Sequence, residues 1–200
     1  MPCNFIAVGA NKNCTENFSG VGSTVYVFTK DDVEKKNLKP AFANDGTNRW
    51  KEDAFSGLPV VPIKVKAHTG QVTATSMADG GGFSNVYTGR IANDMDNMSA
   101  VARIMNNRPD WGILVPTGKL NDEGKKEYIV LYDEEYDIEF SMESTTGDAV
   151  DSDHGHTVTI TQAPMLYSLP KWYGDIEIKE TKQTDAIVSD GMGEDEEDYA

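Results

Sequence analysis

The stretch Asp148-Ala149-Val150-Asp151-Ser152-Asp153-His154-Gly155-His156 gathers the densest set of side chains able to do chemistry. Carboxylates at alternate positions ahead of a glycine resemble a calcium loop, but the glutamate that closes an EF-hand loop is missing and a strand-like run follows. An acidic hairpin turn is the reading that the spacing favours. With that strand begun, His154 and His156 point the same way, so Asp151, Asp153, His154 and His156 are the candidate metal set, although spacing fixes no complete ligand shell. Ordinary surface histidines are the competing reading, and no resident metal or other cofactor is expected. His68 falls in the first strand of a hairpin, with no acid or nucleophile beside it. Cys3 and Cys14 lack a CxxC spacing, which leaves inert thiols or a pair that bridges late or outside the cell.

Other motifs are missing. Gly80-Gly81-Gly82 lacks the Gly-Lys-Ser/Thr ending of a P-loop and opens no helix, so it reads as a turn. No GxSxG, no HExxH and no acid–base pair at a motif spacing occurs. The expectation is a protein that is not an enzyme.

The elements that must position any site follow from composition. Two hundred residues suit one domain with arms, and 38% apolar content permits a real core. No stretch approaches the ~18 apolar residues of a membrane helix. The 18 Lys and Arg against 33 Asp and Glu give a charge of −15, which opposes a phosphate grip on nucleic acid. Sixteen Val, 11 Ile and 16 Thr against seven Leu, punctuated by 18 Gly, predict an all-β dominated chain. The expected fold is a mainly antiparallel β-barrel or β-sandwich with one flanking α-helix. The first residues show no basic region followed by an apolar run, so no signal peptide is read and synthesis is expected to end in the cytoplasm.

Along the chain, residues 1–23 read as an N-terminal arm, 24–178 as a single β domain and 179–200 as an acidic, disordered tail. Within the domain, strands are expected at 24–28, 111–115, 127–132, 136–142 and 156–162. The segment 30–62 has no clear period and carries Phe42, Trp50, Phe55 and Leu58, so it is expected to be a loop that docks on a neighbouring subunit. Disorder with incidental aromatics is the competing reading. Between Lys66 and Arg90, 23 residues contain one charge, Asp79. A hairpin pairing residues 78 and 83 puts Val72, Ala74, Tyr87 and Gly89 on an apolar face, with Gln71, Thr73, Thr75, Val86, Thr88 and Arg90 on the other. A helix is expected at about 94–107, with Met95, Met98, Val101, Ala102 and Met105 as a core stripe.

This order of parts resembles the tail tube (major tail) proteins of long-tailed bacteriophages, which share their build with the type VI secretion tube protein. The stretches that carry the resemblance are Thr69-Gly70-Gln71-Val72-Thr73, Gly81-Gly82-Phe83, Asn106 to Trp111 and Gly155 to Thr161, within residues 14–173. The resemblance implies a noncatalytic virion protein, assembled in the host bacterial cytoplasm. It implies partners too: other copies in stacked hexameric rings, other tail proteins, and DNA that passes without specific binding, with no membrane. On that reading Gln71, Thr73, Thr75, Thr88 and Arg90 face the lumen. Other classes stay open: a different virion or surface component, or a sugar- or metal-binding sandwich using Trp50, Trp111 or Trp172 as a platform.

Overall fold

The computed structural model describes residues 21–92, 95–145 and 155–179. The N-terminal arm up to residue 20, both cysteines, Asp151, Asp153 and His154 of the metal set and the tail beyond Lys179 lie outside the described residues.

Ten strands form two sheets. A six-stranded sheet has the order β10-β2-β1-β5-β6-β9 and a four-stranded sheet the order β3-β4-β8-β7. The first contains β1 (Thr24–Thr29), β2 (Pro59–Lys64), β5 (Trp111–Leu120), β6 (Lys126–Leu131), β9 (Lys171–Tyr173) and β10 (Glu177–Ile178). The second contains β3 (Gln71–Ser76), β4 (Phe83–Ala92), β7 (Ile138–Thr145) and β8 (Gly155–Met165). All pairings are antiparallel except β10 on β2. The chain is therefore an all-β protein with flanking helix, as its β-branched composition dictates.

Two apolar cores explain the strand patterns. In the first, Val25, Ile113, Val115, Ile129 and Leu131 of the larger sheet meet Tyr87, Ile91, Ile138, Val158 and Ile160 of the smaller one. In the second, Phe28, Leu114, Tyr128, Val130 and Trp172 on the opposite face of the larger sheet are covered by Val33, Trp50, Ala54, Phe55 and Leu58. The larger sheet is thus buried on both sides, which is why Trp111 to Val115 and Tyr128 to Leu131 read as unbroken apolar runs. The four-stranded sheet has one covered face, and its strands alternate.

The segment 30–62 is corrected by this arrangement. It opens with α1 (Lys30–Lys35), started by a capping box between Thr29 and Asp32, and closes with β2. Between them Phe55 and Leu58 are fully buried, Trp50 is 7% exposed, and Phe42 stacks on Trp50 at 3.9 Å. These four side chains pack on their own chain; they are not a loop held out for a neighbour. The prolines concealed β2: Pro59 and Pro62 have no N–H, yet the carbonyls of Leu58, just before the strand, and of Val60 within it accept from the Glu177 and Lys179 amides.

The hairpin is also corrected. Ser76 pairs with Phe83, where residue 78 was expected to pair with 83, because the turn of 3-10 helix Ala78–Gly80 lengthens the connection. The shift is two residues, so each side chain keeps its face. Gly82 makes this turn possible: its φ is +90°, and a Cβ there would meet the Met165 carbonyl oxygen at 2.5 Å. His68 lies in the turn before β3, at φ 63°, and not in the strand.

Helix α2 (Met95–Asn107) packs against β7 and β8. Ala102 and Met105 are buried, Met105 joins the first core, and the Trp111 indole donates to the Met105 carbonyl at 3.4 Å.

Candidate functional site: a threonine-rich sheet face

Alternation along the four-stranded sheet sends one set of side chains into the first core and the other set outward. Register then aligns the outward set in rows. One row runs Gln71, Thr88, Thr159 and Ser141, and the next runs Thr73, Val86, Thr161 and Glu139. A third holds Arg90, Thr157 and Glu143, and Thr75 faces Ser84. Gln71, Thr73 and Thr75 are exposed on β3, while Thr88, Thr157, Thr159 and Thr161 are half-buried by their neighbours on the inner strands.

The structure therefore brings Gln71, Thr73, Thr75, Thr88 and Arg90 onto a single face. It adds members the hairpin alone did not name: Thr157, Thr159 and Thr161 of β8, with Glu139, Ser141 and Glu143 of β7. The alternation of Thr157, Thr159 and Thr161 with Val158 and Ile160 was visible in the sequence. What was not visible is that β8 lies beside β4, 63 or more residues away in the chain by the Ala92–Gly155 pair.

Chemically, this is a plane of short hydroxyls on β-branched stems. Such side chains hold water while leaving no mobile cation to grip a polyanion. The charges sit at its margin: Glu139 and Glu143 on the edge strand β7, and Arg90 near the end of β4. Strands β3 and β7 each pair with one neighbour among the described residues, so the plane ends in two open edges.

Of the metal set only His156 is among the described residues. His156 is buried at 1% exposure on the inner face, and its Nδ1 lies 2.8 Å from the Ser144 hydroxyl. Among the described residues no three His, Cys, Asp or Glu side chains are grouped to hold a metal. The sugar-platform idea is corrected, because Trp50, Trp111 and Trp172 are all buried.

One polar cluster escaped the sequence reading. Glu127 on β6 is 4% exposed, accepts from the Thr117 hydroxyl at 2.8 Å and from the Tyr173 hydroxyl, and meets the Lys171 ammonium at 3.3 Å. Burial pushes its carboxyl up, but the Tyr173, Thr117 and Lys171 contacts together outweigh that and hold it below its ordinary value. Burial, then the Glu127 contact, push the Tyr173 hydroxyl up to about 12. Each polar atom is satisfied by its neighbours on β5, β6 and β9, so the cluster ties three strands together.

Fold and face together define a class: a two-sheet β protein whose smaller sheet exposes an almost neutral, hydroxyl-covered surface between open edges. No protein-family model matches the chain, and no curated protein or solved structure matches it.

Proposed function

We propose that this chain is a structural subunit that self-assembles into stacked rings forming a phage tail tube, with the threonine-rich face lining a conduit for DNA. The observation that carries the reading is that face: nearly neutral, hydrated, and bounded by two strands that each pair with one neighbour among the described residues. Edge strands are templates for pairing with another chain, and joining β7 of one copy to β3 of the next extends the plane without a break. Six four-stranded sheets closed in this way would run about 115 Å around, or about 37 Å across, at about 4.8 Å per strand. Strand tilt widens that barrel, which leaves room for a hydrated duplex. The charge of −15 adds repulsion of a polyanion to a lining in which Arg90 shares its row with Glu143.

Electron microscopy of the concentrated protein tests the proposal. Sixfold rings or tubes are expected, with Gln71, Thr73, Thr75, Thr88 and Arg90 on their inner wall. In a virion, Thr73→Lys with Thr75→Lys should leave the exposed strand folded but slow DNA passage. A species that stays monomeric at every concentration and salt rejects the assembly, and rings with Thr73 and Thr75 outside reject the lumen.

A further inference from the structure

The outer side of α2 is a surface that the tube reading does not use. Ala100, Arg103, Ile104, Asn107 and Arg108 fall at helical spacing on one stripe and line a groove of about 390 Å³. Ile104 is 60% exposed at its centre. In a chain with a charge of −15, both charged side chains lining this groove are arginines, and since Arg108 already holds Asp110 in a bidentate pair at 2.8 and 3.3 Å, Arg103 is the groove's open cation among the described residues.

We infer that the acidic segment 185–200 of the same chain docks on this stripe, its carboxylates against Arg103 and its apolar side chains over Ile104. Composition fits: from Asp185 onward the chain carries seven acidic residues and no cation, together with Ile187, Val188, Met192 and Tyr199. Arginine forks pair with carboxylates more selectively than lysine does.

The exit point fits as well. Lys179, the last described residue, places its ammonium 2.8 Å from Asp32 on α1. The adjoining Asp31 lies 3.8 Å from Arg108, beyond the last residue of α2. The tail therefore leaves the domain one short helix away from the groove, and the residues between Lys179 and Asp185 span up to about 20 Å when extended. Tethering at that range supplies an effective concentration in the millimolar range, so a contact too weak to form between separate molecules is populated within one.

Other occupants fit less well. Nucleic acid needs more cations than two. A second copy using the same stripe would set Arg103 and Arg108 against their own counterparts.

Hydrogen exchange of the 100–108 amides in the full chain tests the assignment. Replacing Glu194, Asp195, Glu196, Glu197 and Asp198 by Gln or Asn should speed that exchange about tenfold, the change that about 1.4 kcal/mol of lost contact produces. Arg103→Glu should do the same, and adding Glu196→Lys and Glu197→Lys to Arg103→Glu should restore protection. Circular dichroism checks that each variant is folded. Protection should be independent of protein concentration and weaken in 0.5 M salt, a range in which the screening length is well under about 8 Å. Unchanged exchange in the neutralised-tail variant, or failure of the charge swap to rescue, overturns the inference. Protection that rises with protein concentration overturns it too, by assigning the groove to a second copy.

Discussion

Glu127 sits where a lone carboxylate would be costly, and its contacts decide what it contributes. A carboxyl held low in the folded protein adds stability above its unfolded value of about 4.3, and that contribution is lost as pH falls through the folded value. Glu127→Gln is therefore expected to cost about 1–3 kcal/mol at pH 7, since Tyr173 and Lys171 lose a charged acceptor that Gln replaces only in part. Urea unfolding at pH 7 and near pH 3 checks this: the difference between wild type and variant should shrink at the lower pH. An equal difference at both values means the charge is not what matters. Asp32 obeys the same logic with smaller reach. Burial raises it, and Lys179, with both the hydroxyl and the amide of Thr29, overcomes that, holding the carboxyl low at the start of α1.

The segment between α1 and β2 behaves as an element although it has almost no regular structure. Phe55 touches Phe28, Trp50, Tyr132 and Trp172 with ring centroids between 5.2 and 5.8 Å, so it joins the segment to β1 and β9 across the second core. Phe55→Ala should cost about 3–5 kcal/mol, because the cavity cannot close between two aromatic neighbours held by strands. Denaturant unfolding of the monomer measures it. A variant with both Trp50 and Phe55 replaced by Ser is expected to lose its cooperative transition, whereas an arm made only for docking would leave a folded monomer that fails to assemble. A loss below about 1 kcal/mol for Phe55→Ala would mean the segment is not part of the core.

At the scale of the whole molecule, a charge of −15 sets copies against each other. Edge pairing between copies must overcome that repulsion, so assembly should be favoured by salt and by lowering pH toward the sequence pI of about 4.5. Sedimentation velocity across salt concentrations reads this directly, with larger species expected as salt rises. A size distribution insensitive to salt would sink the edge-pairing route. The sequence by itself determined the β class, the alternating faces of β7 and β8 and the helix with Met105 on its buried side, because side-chain period and β-branched content act over a few neighbouring residues. It determined the faces of the β3–β4 hairpin as well, since an error of two residues in the turn leaves the parity intact. Only the tertiary structure decided that β8 lies beside β4 to complete the threonine plane, that His156 turns inward, that Glu127 finds Thr117, Lys171 and Tyr173, and that Phe42, Trp50, Phe55 and Leu58 cover a second core. Those outcomes depend on contacts between residues far apart in the chain, where no local period exists to read.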